Sequence, residues 1–178
     1  MSITEAVQAV PAGTWRSDPV HSSVGFAVLH MGVTPFRGTL SNFEAALAGD
    51  QLVGSASVET IETPDENLTA HLLSPEFFDA ERHPELRFAS SEIRREGDEL
   101  VVDGELTLKG LTRPVELRGA VTGPIDDPYG KRRLGLELET WIDRTDFGID
   151  WNAELPSGGR VLANDVRLTA RLELVQEA

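Results

Sequence analysis

Regular alternation of apolar and polar residues is the feature that most limits how this chain folds. In residues 99–110, ELVVDGELTLKG, every even position from Leu100 to Leu108 is apolar or glycine, while most odd positions are charged or hydroxylated. Successive side chains of a strand point to opposite faces, so this period of two predicts a strand with one buried and one wet face. The same pattern recurs in three further runs: 113–123, 132–143 and 164–175.

Four earlier segments alternate in the same sense but less strictly: 21–31, 36–47, 52–61 and 85–93. Turn-forming pairs such as Gly-Asp at 49–50 and 97–98 separate the runs. Closing so many strands into a barrel removes the exposed edges that they would otherwise leave. We therefore predict an all-β fold, a single lipocalin-like extended antiparallel β-barrel of about eight strands, whose interior holds side chains or one slender ligand.

One segment, TPDENLTAHLLSPEFFD at 63–79, breaks the alternation. Thr63 as a cap, Pro64 in the first turn and Glu66 three residues after the cap predict the start of a helix. Pro75 ends that helix, which places Phe77 and Phe78 on a helical turn or irregular backbone where both rings can lean the same way. We predict a short helical cap over one end or edge of the barrel.

Charge limits the partners of this protein. The 178 residues, enough for one domain, contain 30 acidic and 16 basic side chains, giving a formal net charge of -14. Such a surface repels phosphate backbones and anionic lipid surfaces, so we expect no nucleic-acid partner.

The first 15 residues, MSITEAVQAVPAGTW, contain Glu5 and have neither a basic segment nor an apolar core of a secretory signal. No apolar run in the chain approaches the ~20 residues needed to span a bilayer. We therefore expect a cytoplasmic protein without stable membrane insertion.

Motifs of catalysis and metal binding are missing from the sequence. It contains no cysteine, no G-x-S-x-G elbow, no H-E-x-x-H helix and no glycine-rich phosphate loop. His21, His30, His71 and His83 lack the spacing of a zinc site. We predict no catalytic residues, no metal site, no cofactor and no enzymatic activity.

A set of short motifs, in order along nearly the whole chain, resembles the YceI-like family of lipocalin-shaped, polyisoprenoid-binding proteins. The motifs are W-x-x-D-x-x-H-S-x-V-x-F at 15–26, H-M-G-V at 30–33, F-x-G at 36–38, H-L-x-S-x-x-F-F-D at 71–79, P-x-L-x-F at 84–88, G-x-L-T-L-K-G-L-T at 104–112 and R-T-D-F-G-I at 144–149. Each motif is short, and it is their shared order that makes the resemblance specific.

The resemblance implies a flexible N-terminal segment at 1–12 and a lipid-binding barrel domain at 13–178. Its apolar interior would hold an isoprenoid lipid of the polyprenyl phosphate or quinone type, which the protein binds, stores or transports. Members of the family usually have an Arg-Asp pair just before the His-Leu of the cap, and here Leu68 and Thr69 take those positions. A polar head-group contact from that pair is therefore not expected in this chain.

The candidate ligand-binding residues combine the inward faces of the strands with the cap. They are Val24, Phe26, Val28, Phe36, Phe43, His71, Phe77, Phe78, Leu86, Phe88, Leu106, Leu117, Leu136, Ile142, Arg144 and Phe147. His71 fixes the cap to the barrel or offers a polar contact at the cavity mouth. Arg144 either pairs with Asp146 to pin a loop or contacts the ligand.

Two other functions are compatible with the same sequence. One is an enzyme that acts on a small apolar substrate in the cavity. The other is an interaction module with a filled core, for which Trp141, on an otherwise charged strand face, suggests a homodimer interface. Alternation alone does not distinguish a packed core from a ligand cavity.

Overall fold

Antiparallel pairing of eleven strands builds the molecule in the computed structural model, which describes residues 9–178. The strands are β1 (Thr14–Ser17), β2 (Ser23–His30), β3 (Thr34–Leu40), β4 (Phe43–Ala48), β5 (Gln51–Ser57), β6 (Ile61–Glu62), β7 (Glu85–Glu96), β8 (Glu99–Leu108), β9 (Leu111–Asp126), β10 (Arg132–Asp143) and β11 (Leu162–Gln176). One α-helix, α1 (Glu66–Leu73), and two 3-10 turns, Val58–Thr60 and Arg144–Phe147, complete the elements of the described region.

The eleven strands form a closed barrel of eight long strands. β1 with β2, β3 with β4, and β5 with β6 are three long strands that are each interrupted once, because both pieces pair with the same neighbouring long strand. β11 pairs with β10 along one edge and with β2 and then β1 along the other, which closes the ring. The prediction of a lipocalin-like barrel of about eight strands is confirmed.

The inward side chains pack into two clusters, one at each end of the barrel. The helix-end cluster contains Phe26, Val28, Leu40, Ala56, Val58, Ile61, Leu72, Phe77, Leu106, Leu108, Ile142, Phe147, Ile149, Leu162 and Val166. The Trp15-end cluster contains Val10, Trp15, Leu47, Leu52, Leu100, Val102, Leu134, Leu136, Leu138, Leu172 and Leu174. The predicted inward rows of the four alternating runs supply much of both clusters.

The described part of the N-terminal segment contacts the Trp15 end of the barrel. Val10 is buried in the Trp15-end cluster, and the Arg95 Nε–H donates a hydrogen bond to the Ala9 carbonyl at 3.1 Å. Of the segment predicted to be flexible, residues 1–8 lie outside the described residues. The packed part of the chain therefore includes Val10, before the predicted domain start at Gly13.

The helix begins two residues later than its sequence predicts. Asp65, and not Thr63, is the N-cap, and its carboxylate accepts hydrogen bonds from the Asn67 and Leu68 amides at 2.7 and 3.1 Å. The Thr63 hydroxyl instead contacts the Thr69 hydroxyl at 2.8 Å, so the predicted cap at Thr63 is wrong. No helix within residues 9–178 is long and apolar enough to cross a membrane.

A cluster of charged groups lies where the first long strand is interrupted, between β1 and β2. The Arg133 guanidinium donates to the carboxylates of Asp18, Asp127 and Glu173 at 2.8 to 2.9 Å. His21 Nδ1 lies 2.9 Å from the same Asp18 carboxylate. Since Arg133 belongs to β10 and Glu173 to β11, the cluster ties the interruption to the two strands beside it.

These contacts shift two pKa values in opposite directions. The hydrogen bonds from His21 and Arg133 hold the pKa of Asp18 well below its ordinary value, and the Asp18 carboxylate raises the pKa of His21. A lowered pKa contributes stability that is present above the unfolded pKa of about 3.9 and is lost at lower pH. A raised pKa contributes stability that is present below about pH 6.5 and is lost as the pH rises through the folded value.

We predict that the melting temperature passes through a maximum between about pH 4 and pH 6.5, measured by calorimetry from pH 2 to 9. Asp18→Asn should flatten the acid side of the profile, and His21→Gln should flatten the side above pH 6.5. His30→Gln serves as the control, because His30 makes no ion pair with the described residues. An unchanged slope above pH 6.5 in His21→Gln would contradict this account.

Candidate functional site

A cavity of about 160 Å³ lies between the two core clusters, inside the barrel. Its position is visible in the burial pattern, because inward side chains at mid-barrel remain partly exposed although the strands enclose them. Phe43 and Phe88 pack against both clusters and so line the space between them. The barrel is therefore hollow at its centre and packed solid at the Trp15 end.

Most of the candidate residues line this cavity. They are Val24, Phe26, Val28, Phe36, Phe43, Phe77, Phe78, Leu86, Phe88, Leu106, Leu117, Ile142 and Arg144. The strand residues among them face inward, as the alternation predicts. Six of the seven phenylalanines of the chain are in this set, so its wall is unusually aromatic for a protein with few aromatic residues.

Three candidates lie outside the lining. Leu136 is buried in the Trp15-end cluster, below the cavity, and Phe147 is buried within the helix-end cluster on a 3-10 turn. His71 points away from the cavity: its Nε2 lies 2.6 Å from a Glu76 carboxylate oxygen, and its ring meets Trp151 edge-on with centroids 4.8 Å apart. The imidazole thus holds the cap together and does not reach the cavity.

The lining also contains side chains that the sequence reasoning missed as site residues. Examples are Leu40, Leu72, Leu138, Thr140, Ile149, Leu162, Val166 and Leu168. Leu138, Thr140, Val166 and Leu168 lie on inward rows that the alternation predicts, so a signal for them existed. Ile149 and Leu162 lie in or beside the loop after β10, where no periodic pattern marks them.

Two phenylalanine rings of the lining rest on strand glycines. A Cβ at Gly38 would lie 2.7 Å from Phe26 Cε1, and one at Gly104 would lie 2.6 Å from Phe88 Cζ. Each ring therefore fills the place of the absent side chain, which keeps it against the wall and out of the cavity. A larger residue at either position would have to push its ring toward the cavity.

The cap forms one wall of the cavity. Leu72 of α1 and Phe77 of the following turn are buried and line it, and Phe78 packs on Phe26 with ring centroids 5.8 Å apart. The Phe78 amide donates to the Leu72 carbonyl at 3.0 Å, which folds the turn back on the helix and directs both phenylalanines inward. The Lys109 ammonium donates to the Pro75 carbonyl at 2.8 Å and ties the cap to the β8–β9 turn.

Leu68 and Thr69, at the positions of the expected Arg-Asp pair, have structural contacts. Leu68 packs against the helix-end cluster, and the Thr69 hydroxyl accepts a hydrogen bond from the Thr63 amide at 3.2 Å. Neither side chain lines the cavity.

The cavity lining contains two charged residues within residues 9–178, Glu44 and Arg144. Glu44 occupies an outward, exposed position on β4, whereas Arg144 is buried. Arg144 is only 3% exposed, and its Nε–H donates to the Ala163 carbonyl at 2.9 Å. Its Nη1 donates to the carbonyls of Ile149 and Trp151, each at 2.9 Å. The buried Nη2 has no hydrogen-bond acceptor among the described residues.

The predicted pair of Arg144 with Asp146 is wrong. Asp146 is exposed, and no carboxylate of the described region lies within 4.0 Å of the Arg144 guanidinium. The side chain does pin the loop, as expected of a structural role, but through backbone carbonyls. Desolvation lowers the pKa of Arg144, because no nearby anion fully offsets the cost of burying its charge.

Comparison with known proteins places this barrel in a family. A model of the YceI-like domain matches residues 15–174. The chain belongs to the YceI-like family. YceI proteins of Salmonella arizonae and Salmonella enteritidis are each 35% identical to it over 136 residues, which are 72% of this chain and 71% of each relative.

Solved structures of the same shape include other YceI-like domains. The Campylobacter jejuni YceI protein superposes with a TM-score of 0.71 at 19% identity, covering 84% of this chain and 90% of its own. A polyisoprenoid-binding domain of Saccharophagus degradans gives a TM-score of 0.65 at 10% identity, covering 92% of this chain and 98% of its own. Burkholderia cenocepacia BcnA gives 0.70 at 20% identity, covering 90% and 99%. At these identities the likeness concerns the fold of the YceI-like domain.

We predict that Gly38→Ala lowers the affinity of the cavity for the neutral dye N-phenyl-1-naphthylamine by about tenfold, equal to about 1.4 kcal/mol. The reason is that the added methyl group displaces the Phe26 ring into the cavity. The affinity is measured from the change in dye fluorescence on binding. Gly135→Ala makes the same chemical change on the outer face of β10, where a Cβ has no neighbour closer than 3.6 Å, and should leave binding unchanged. Equal affinities for the two variants would show that the dye does not use this cavity.

Proposed function

We propose that the protein binds an isoprenoid lipid of the polyprenyl phosphate or quinone type in the barrel interior, and stores or carries it without chemical change. The observation that carries this proposal is the apolar cavity at mid-barrel, enclosed by strands and cap. Family membership and the named ligand class of the Saccharophagus degradans domain support isoprenoids as that ligand.

The lining supplies the affinity that a branched hydrocarbon needs. Burial of apolar surface stabilises a complex by about 25 cal/mol per Å², and aliphatic and aromatic side chains cover nearly the whole wall. A cavity of about 150 Å³ in another protein holds one benzene molecule, so 160 Å³ has room for about one isoprene unit. A longer tail requires the phenylalanine rings of the wall to rotate and widen the space.

Binding without catalysis is supported by the chemistry of the inward groups. In the described part of the chain, Thr140 and Arg144 are the polar side chains that face the cavity; Glu44, Ser55 and Thr169 occupy outward register positions. Neither inward group acts readily as a general base, since a guanidinium stays protonated and a hydroxyl is a weak base. The carboxylates with shifted pKa values lie on the outer surface, as Asp18 does.

The alternatives receive less support. A filled-core module conflicts with the hollow centre, and an enzyme would need a proton-transfer group in the cavity. A homodimer through the strand face that carries the exposed Trp141 stays a prediction.

We predict that an organic extract of the natively purified protein contains an isoprenoid lipid at close to one molecule per chain, measured by mass spectrometry. Phe88→Trp should lose this lipid, because the ring rests on Gly104 and a larger side chain can extend only into the cavity. Tyr129→Trp, which introduces the same residue at a position 87% exposed, should retain it.

An extract without lipid, together with no uptake of added farnesol or polyprenyl phosphate by the unmodified protein, would overturn the proposed function. Retention of lipid in Phe88→Trp, with its fold confirmed by circular dichroism, would mean that the lipid occupies another site.

A further inference from the structure

Within the proposed function, we infer that Arg144 binds the head group of the lipid and that this head group is an anionic oxygen group, a phosphate or a carboxylate. The tail then extends through the cavity toward the Trp15 end. The inference rests on lipid binding in the cavity and adds where the head group lies and what charge it carries.

The geometry of the guanidinium leaves one donor group for a ligand. Its Nε–H and Nη1 are occupied by the carbonyls of Ala163, Ile149 and Trp151. These bonds fix the plane of the guanidinium of Arg144, a residue of the cavity lining, and so hold its buried Nη2 in place. A buried donor without an acceptor destabilises the structure, more so when it is charged, and a ligand oxygen would recover that cost.

Charge distinguishes the possible acceptors. Three backbone carbonyls satisfy hydrogen bonds of Arg144 but leave its positive charge without a paired anion. Among the nearest acidic groups, the Asp143 carboxylate already accepts from the Thr145 amide and hydroxyl at 2.9 and 2.6 Å, and Asp150 is exposed to solvent. Arg160, also nearby, adds a second positive charge.

A neutral quinone carbonyl or alcohol could accept the free N–H but would leave the charge uncompensated. A phosphate or carboxylate provides both the acceptor oxygen and the negative charge that compensates the guanidinium. The other charged residue of the lining in the described region, Glu44, occupies an outward, exposed position on β4, and Leu68 and Thr69 stand where an Arg-Asp pair is expected. Head-group recognition therefore depends on Arg144.

The position of Arg144 also gives the ligand a direction. Arg144 follows Ile142 of the helix-end cluster, and the cavity continues from there to Leu52 and Leu172 of the Trp15-end cluster. A head group at Arg144 thus lies beside the cap, and an apolar tail has a continuous apolar wall beyond it.

The test compares four ligands that share a three-isoprene tail: farnesyl phosphate, farnesoic acid, farnesol and a quinone with a farnesyl chain. Dissociation constants are measured on the unmodified protein by displacement of N-phenyl-1-naphthylamine at constant ionic strength. We expect the phosphate and the carboxylate to bind at least tenfold more tightly than the alcohol and the quinone.

Three variants test whether the preference for anionic ligands depends on the buried guanidinium of Arg144. Arg144→Met should bring the four affinities to within about threefold of each other, and Arg144→Lys should retain part of the preference because it keeps the charge. Arg160→Gln, which removes a positive charge from the surface nearby, should leave the preference intact. The folds of all variants are compared by circular dichroism. If Arg144→Met does not fold, the four dissociation constants of the unmodified protein still test the preference for an anionic head group.

The outcomes separate the two proposals. If farnesol and the quinone bind as tightly as the anions, the head-group inference fails while the lipid-binding function stands. If the anions are preferred equally in Arg144→Met and the unmodified protein, Arg144 is not the site and the inference fails. If none of the four binds, the proposed function fails and the inference fails with it.

Discussion

Pairing of β11 along both of its edges is the constraint on which the rest of this structure depends. Because β10 covers one edge and β2 and β1 share the other, the ring of hydrogen bonds closes and every inward side chain is enclosed. An eight-stranded ring leaves an interior just wide enough for side chains or one slender ligand. Whether a given level of the barrel is filled then depends on the size of the inward residues. Large side chains fill the Trp15 end, and rings lying on Gly38 and Gly104 leave the middle open.

The alternating pattern predicted the fold and the direction of most side chains, because a period of two is imposed by the strand backbone itself. It could not predict depth along the barrel axis. Leu136 and Leu138 are neighbours on one inward row, yet only Leu138 lines the cavity. That difference follows from the stagger of strands that are distant in sequence. Nor could alternation predict Val101, an outward residue that is fully buried beside the long side chains of Arg94 and Arg118, its partners in register.

Local motifs were less informative about hydrogen-bond partners. Thr63 and Asp65 are both good N-cap residues. Asp65 caps the helix in the structure, because the Thr63 hydroxyl instead contacts the Thr69 hydroxyl. The sequence drew attention to Arg144 but suggested Asp146, two residues away, as its partner. Its actual acceptors are carbonyls five, seven and nineteen residues along the chain. Such contacts depend on how the loop after β10 returns to β11, which no short motif encodes.

The solid packing at the Trp15 end has a consequence for any chain molecule inside the barrel. Trp15, Leu47 and Leu174 are wholly inaccessible to solvent, so the cavity is a channel that is closed at this end. A tail longer than the channel must leave its surplus carbons in water, where each CH₂ group forgoes the stabilisation of about 0.8 kcal/mol that burial would give. The closed Trp15 end of the barrel therefore limits how many tail carbons can be buried, and beyond that chain length each added carbon no longer adds affinity.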